Sequence, residues 1–109
     1  MPVYNKLVRD LIPQVIEAGG KTCSIRVLEQ EEHLEEIKVK MQEEALEFLV
    51  AASPKDSVEE LADILELVHT AIQMFDVSYE QLEHIRIQKK RQRGGFSKGI
   101  YLIEVEEGS

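Results

Sequence analysis

The sequence predicts a mainly α-helical protein, a helical bundle completed by homo-oligomerisation. Three observations lead to this fold class. Apolar residues recur at spacings of three and four through two long segments. Serine, proline and glycine residues mark the ends of these segments, as they do in helices. With 109 residues the chain has room for one modest core, so we expect a single domain over residues 1–109.

The first part of the chain predicts short elements. A short helix is expected from Asp10 to Ala18, with Pro13 in its first turn and Gly19-Gly20 as its stop. The run Thr22–Leu28 is rich in β-branched residues, which favours a strand. The tail Gly99–Val105 alternates in a similar way, and the two runs would pair as a short two-stranded β element.

Two long helices are predicted next, from about Glu31 to Ala52 and from about Val58 to Phe75. Between them, Pro54 suits a turn or a first helical position. Asp56 or Ser57 is expected to cap the second long helix.

A third helix is predicted from near Ser78 to about Arg93. The spacing from Ser78 to Gln81 matches a capping box, and Gly94-Gly95 follow the last helical residue.

The most informative pattern consists of two pairs of carboxylates, Glu44 with Glu47 and Glu60 with Asp63, each three residues apart. Residues at this spacing share one face of a helix. If the two helices face each other, four hard oxygen ligands converge on one place. Such ligands suit Mg²⁺ or Mn²⁺ and leave positions open for phosphate oxygens and water.

The acids also border apolar stripes. Glu44 falls at the edge of the stripe of the first long helix, whereas Glu43 is interpreted as mainly solvated. Glu60 and Asp63 share a face with apolar residues of the second. Buried carboxylates are rare unless they are paired or bound to metal. The first stripe consists of Leu34, Ile37, Met41, Ala45, Phe48 and Ala52, and the second of Leu67, Ala71 and Met74.

A simpler interpretation of the acids is a solvated surface. The chain contains 21 Asp and Glu residues, so an acid pair at helical spacing arises easily by chance. Two pairs on consecutive helices, both beside apolar stripes, weaken this interpretation without removing it.

The first long helix has a second apolar face, made of Val39, Leu46, Leu49 and Val50. Helices that are apolar on both sides are usually packed between two layers. A homodimer or homotetramer would supply the missing layer in so short a chain. The alternative is that this face packs against the N-terminal segment.

A basic cluster follows in the third helix. Lys89, Lys90 and Arg93 are candidate phosphate ligands, since Arg offers a bidentate fork and Lys a point charge. Favourable interaction with the helix dipole explains part of the cluster equally well. Lys6 and Arg9 are weaker candidates for the same role.

Composition excludes several classes of protein. The net charge of −8 disfavours a general nucleic-acid binder, which needs a basic surface. Cys23, the single cysteine, cannot form an intrachain disulfide, and the N-terminus does not resemble a signal peptide. No apolar stretch approaches the roughly 20 residues needed to cross a bilayer. We therefore expect a soluble, cytoplasmic protein that binds a small-molecule nucleotide, with no nucleic-acid polymer and no membrane as partner.

These motifs resemble a known superfamily. The stretch Glu43–Glu47, followed by Glu60–Asp63, resembles the EExxE…ExxD motif of the all-α nucleotide pyrophosphohydrolases, the MazG-like and phosphoribosyl-ATP pyrophosphatase-like superfamily. The opening Tyr4–Pro13 and the closing Arg93–Phe96 resemble a small subfamily of it. The terminal segments Lys6–Asp10 and Gly99–Val105 are additions to the minimal bundle, so the substrate pocket cannot be transferred from other members.

The resemblance implies an oligomeric helical bundle that uses Mg²⁺. Its metal ligands, which are also the catalytic residues, would be Glu44, Glu47, Glu60 and Asp63. The reaction would be hydrolysis of a nucleoside triphosphate or related nucleotide at the α–β phosphoanhydride, giving monophosphate and pyrophosphate. Nucleotide-pool house-cleaning is one role that such a reaction would serve.

The residues leave several points open. Glu47, or Glu43 across a water, could accept the proton. The base and sugar preference is not determined. A non-catalytic nucleotide or metal sensor, or a helical interaction module, is the competing interpretation.

Overall fold

The computed structural model describes residues 2–108 and contains four helices in that part of the chain. They are α1 (Ile12–Ala18), α2 (Gln30–Val50), α3 (Pro54–Met74) and α4 (Tyr79–Arg93). Contacts within the chain group into two units, one that ends at Val77 and one that begins at Ser78. The mainly α-helical class is confirmed, whereas oligomerisation and the single domain stay predictions.

Helix α1 begins two residues later than expected. The backbone N–H of Ile12 donates to the carbonyl of Arg9 at 3.1 Å, which makes a turn of the residues before the helix. Proline lies in the first helical turn as predicted, because its missing N–H would have no partner there. Gly20, at φ 82°, follows the end of the helix in the left-handed region that favours glycine.

Helices α2 and α3, each of 21 residues, form an antiparallel hairpin. The amide of Gln30, at the start of α2, lies 3.5 Å from the carbonyl oxygen of Met74, at the end of α3. The connection is a short one, residues 51–53. The hairpin therefore sets residues at equal distances from the connection beside each other.

The predicted cap of α3 was wrong. Ser53 caps the helix, since its hydroxyl accepts a hydrogen bond from the backbone N–H of Asp56 at 3.1 Å. Pro54 then occupies the start of the helix, which begins four residues before the predicted Val58. The expectation underrated a serine followed directly by proline as a start signal.

The interior between the helices is small. Ile37 and Glu44 are the buried residues of α2 in the described chain, and the inner face of α3 is half-buried. The C-terminal part of the predicted α2 stripe is not covered, because Ala45 and Phe48 are exposed. Glu44 is thus more deeply buried than the edge position predicted for it.

The second apolar face of α2 is open to solvent. Leu46 is 63% exposed, Leu49 76% and Val50 75%. The N-terminal segment therefore does not cover this face within the chain. The alternative in which that segment packs on it is excluded for these side chains.

Helix α4 confirms its predicted signals. The hydroxyl of Ser78 accepts from the backbone N–H of Gln81, whose side chain accepts from the backbone N–H of Ser78, so both halves of the capping box are present. Gly94, at φ 84°, ends the helix, and its N–H donates to the carbonyl of Lys90 at 2.8 Å.

The predicted β element is not formed. Thr22–Leu28 and Gly99–Val105 contain no strand, and no strand occurs in residues 2–108. A two-stranded ribbon is marginal in water unless it packs on other elements. Ile25, Val27 and Tyr101 are 64%, 89% and 88% exposed, so their side chains provide no such packing. Alternation of apolar residues was therefore an insufficient signal here.

None of the helices in the described residues has the length and apolar character required to cross a membrane.

Candidate metal centre

The α2–α3 hairpin brings three glutamates together. Helix α2 carries Glu44 and Glu47 one turn apart, and α3 carries Glu60 at a matching distance from the connection. One carboxylate oxygen from each glutamate lies within 4.8 Å of the other two. These are three of the four acids that the sequence predicted as ligands of one ion.

The three side chains differ in burial. Glu44 is 6% exposed, Glu60 is half-buried and Glu47 is exposed. Oε2 of Glu44 and Oε2 of Glu60 are shielded from solvent, and neither accepts a hydrogen bond from the described residues. A shielded carboxylate oxygen without a donor is costly, since it has lost its water and gained nothing in return. A cation at this position would remove the cost.

Crowding changes the acidity of Glu60. Glu44, burial and Glu47 raise the pKa of Glu60 to about 7; the largest cause is the hydrogen-bonding interaction with Glu44, followed by burial and then by Glu47. As an acid, Glu60 can donate to a neighbouring carboxylate, which an ionised glutamate cannot. A proton on Glu60 thus replaces part of the charge that a metal ion would supply.

Lys40 adds a positive charge that the sequence analysis missed. Its Nζ lies 3.3 Å from Oε2 of Glu43 and 3.7 Å from Oε1 of Glu44. The interpretation of Glu43 as mainly solvated was therefore incomplete, because its side chain is 38% exposed and paired with Lys40. The spacing of four residues from Lys40 to Glu44 was the signal that could have found the pair.

The fourth predicted ligand, Asp63, has a different partner. Oδ1 of Asp63 lies 2.6 Å from Nη2 of Arg9, a residue of the segment before α1. This hydrogen bond is the main reason why the pKa of Arg9 is raised. Asp63 is not a member of the three-glutamate cluster in the described structure.

The other predicted substrate-binding residues lie outside the cluster. Nζ of Lys6 stands 5.6 Å from the centre of the Tyr4 ring, a cation–π distance. Lys89, Lys90 and Arg93 are exposed in the last turns of α4, which belongs to the second unit. Their role as phosphate ligands stays a prediction.

The donor set fits a hard divalent cation. Carboxylate oxygens suit Mg²⁺ and Mn²⁺, and three carboxylates would leave further ligand positions of such an ion for water and phosphate oxygens. Two of the oxygens are already shielded from solvent, so binding would strip little further water from them. Glu44, Glu47 and Glu60 are the residues that would hold such an ion.

Comparisons of the chain with protein-family models, with curated proteins and with solved structures found no match.

Proposed function

We propose that the protein is a Mg²⁺-dependent nucleotide pyrophosphohydrolase, with Mn²⁺ as a substitute ion. It would hydrolyse a nucleoside triphosphate or a related nucleotide at the α–β phosphoanhydride, releasing monophosphate and pyrophosphate. The observation that carries the proposal is the cluster of Glu44, Glu47 and Glu60 with its two shielded oxygens that lack a donor. The resemblance to the EExxE…ExxD motif supports the choice of bond and the MazG-like superfamily.

Each carboxylate has a distinct task in this proposal. Glu44 and Glu60 would hold the ion from the two helices through their shielded oxygens. The ion supplies charge neutralisation at the phosphate oxygens and a lowered pKa for a bound water. Glu47 is the exposed member and is therefore the one that an attacking water reaches. Glu43 forms an ion pair with Lys40, so Glu47 is the better proton acceptor of these two glutamates.

The positive charges would hold the phosphates. Lys89, Lys90 and Arg93 are proposed to bind the β and γ phosphates, with Lys6 and Arg9 as further contacts. Phosphoryl transfer needs little covalent work from a protein, so positioning and charge account for most of the catalysis. The exposed apolar face of α2 supports assembly into a homodimer or homotetramer.

The test is pyrophosphate release from a mixed pool of nucleoside triphosphates, with and without Mg²⁺. Release is expected only with the ion. In Glu44→Gln, which removes charge with little change of shape, Mn²⁺ affinity and turnover should fall together by at least about tenfold, since ligand charge sets affinity at carboxylate sites. Circular dichroism should show an intact fold, because the substitution also relieves repulsion within the cluster.

Glu59→Gln is the matched control. Glu59 neighbours Glu60 in α3 but is exposed and lies outside the cluster. Its loss should leave turnover and Mn²⁺ affinity unchanged. Wild-type activity in Glu44→Gln would refute the metal centre, and a lack of product from a broad nucleotide panel with Mg²⁺ or Mn²⁺ would favour a non-catalytic sensor.

A further inference from the structure

Arg9 is a second cation near the candidate metal centre, in addition to Lys40. Its guanidinium bonds to Asp63 at 2.6 Å across a sequence separation of 54 residues. The guanidinium also interacts electrostatically with Glu66 and with Glu44, a member of the cluster. A positive charge thus lies beside the acids.

A backbone hydrogen bond restrains the position of Arg9. The carbonyl of Arg9 accepts a hydrogen bond from the N–H of Ile12, so the residue is tied to the start of α1. Its side chain spans from there to α3. The position of Arg9 therefore depends on local structure as well as on the ion pair.

Asp63 is the fourth acid that the sequence predicts as a ligand, and it is paired with Arg9. It lies one turn after Glu60 on the half-buried face of α3. The three glutamates come together, and Asp63 is bonded to Arg9 instead. Arg9 and a divalent cation would compete for the same carboxylate.

The ion pair between Arg9 and Asp63 is exposed enough for either residue to change its partner. The side chains of Arg9 and Asp63 are 58% and 37% exposed, and ion pairs this open contribute little to stability. A guanidinium binds phosphate through two parallel hydrogen bonds, a stronger match than a single contact to one carboxylate oxygen. An arriving metal–phosphate complex offers a partner to both residues at once.

We propose that Arg9 binds Asp63 until substrate arrives and then moves to a phosphate group of the substrate. Asp63, once released, would join Glu44, Glu47 and Glu60 as a ligand of the metal ion. We call this exchange of partners by Arg9 the latch. This inference rests on the proposed function, because the substrate is the nucleotide phosphate chain of that same site. It makes Arg9 a substrate-contacting residue that competes with the metal ion for the carboxylate of Asp63. Binding of metal and of phosphate then favour each other, because each removes the other's competitor.

The experiment compares Arg9→Gln with the wild-type protein in two binding measurements that do not need turnover. Mn²⁺ alone is titrated and followed by electron paramagnetic resonance, and inorganic pyrophosphate is then titrated in the presence of saturating Mn²⁺. In Arg9→Gln, Mn²⁺ should bind about threefold tighter, the range open to an exposed ion pair. Pyrophosphate should bind about tenfold weaker, because a charge-assisted contact is lost.

Arg26→Gln is the control. Arg26 forms an exposed ion pair with Glu32 at the start of α2, outside the cluster. Both affinities should stay at their wild-type values in this variant. Arg9→Lys, which keeps the charge but loses the fork, should restore the Mn²⁺ affinity and only part of the pyrophosphate affinity.

The opposite signs of the two effects, together with the incomplete rescue of pyrophosphate binding in Arg9→Lys, identify the latch, because lysine would fully rescue an effect of charge alone. Equal Mn²⁺ affinity in Arg9→Gln and wild type would overturn the latch and leave the proposed function standing. Weaker binding of both probes would mean that Arg9 only supports the fold, which also overturns it. Absence of Mn²⁺ binding to the wild-type protein would overturn the proposed function and the latch together.

Discussion

The acidity of one residue, Glu60, connects the stability of the hairpin with metal binding. Its carboxyl sits between two other glutamates, and its pKa of about 7 means that the folded protein holds a proton there more tightly than the unfolded chain does. A metal ion must displace that proton. The same crowding that makes the empty cluster unfavourable at neutral pH therefore prepares it for a cation.

A pH dependence follows for the metal-free protein. The stabilising effect of the proton on Glu60 is complete below the ordinary glutamate pKa of 4.5 and is lost as the pH rises through about 7. The difference in Tm between wild type and Glu60→Gln should accordingly change through this window, the wild type losing stability relative to the amide variant. Over the same range Mn²⁺ affinity of the wild type should rise.

The measurement is thermal unfolding by circular dichroism in the presence of a chelator, at pH values from 4.5 to 8. Using the difference between the two proteins removes the contribution of the other acids, which titrate in both. A constant difference in Tm across the window would show that Glu60 keeps an ordinary pKa and that the cluster is looser than described.

Single residues also show what the sequence could and could not predict. Glu44, Glu47 and Glu60 were predictable because helical spacing places i and i+3 on one face, and because two consecutive helices commonly form a hairpin. The ion pair of Arg9 with Asp63 was not predictable. It joins residues 54 positions apart, and no local periodicity reports such a contact. The sequence predicted Arg9 as a phosphate ligand and Asp63 as a metal ligand, with no contact between them.

At the scale of elements, helix-capping residues were better predictors of structure than the alternation of apolar residues. The capping box of Ser78 and Gln81 and the glycine after α4 fixed that helix from the sequence, because caps act within one turn. The two β-rich segments failed because strand formation depends on partners that lie elsewhere in the chain or outside it. The sequence of a strand alone carries little of that information.

Helix α2 has an apolar face that no other part of the described chain covers. Its outer apolar face is exposed in the single chain, and large exposed apolar patches mark interaction surfaces. We therefore expect that Leu46→Asp converts the protein into monomers or unfolds it, at a cost of about 3–5 kcal/mol for a buried unpaired charge. Sedimentation at micromolar concentration, together with circular dichroism, measures both outcomes.

The control for this prediction is Leu46→Met, which keeps an apolar side chain of similar volume and should remain associated. A wild-type protein that sediments as a monomer at micromolar concentration would contradict the expected interface. So would an associated Leu46→Asp protein with wild-type stability.

At the scale of the whole molecule, the proposed reaction depends on charges of opposite sign in different elements. The acids lie on α2 and α3, and the basic residues Lys89, Lys90 and Arg93 lie at the end of α4. The net charge of −8 means that a nucleotide must be attracted by local groups and by the metal ion, since the overall field repels it. The basic cluster is the largest local source of positive charge in the sequence.

The last prediction concerns which bond is broken. Hydrolysis in water labelled with heavy oxygen should give monophosphate and pyrophosphate, and chromatography with mass spectrometry should locate the label.

If the basic cluster binds the β and γ phosphates, Arg93→Ala should raise KM for triphosphates and weaken inhibition by pyrophosphate by about tenfold, the loss expected for a charge-assisted hydrogen bond. Mn²⁺ affinity should stay unchanged, because Arg93 is not a metal ligand. Arg91→Ala, which removes an equal charge from a different face of α4, should have a smaller effect on KM. Orthophosphate as the first product would place the attack at the γ phosphorus, and equal effects of the two arginine variants would reduce the cluster to a general field.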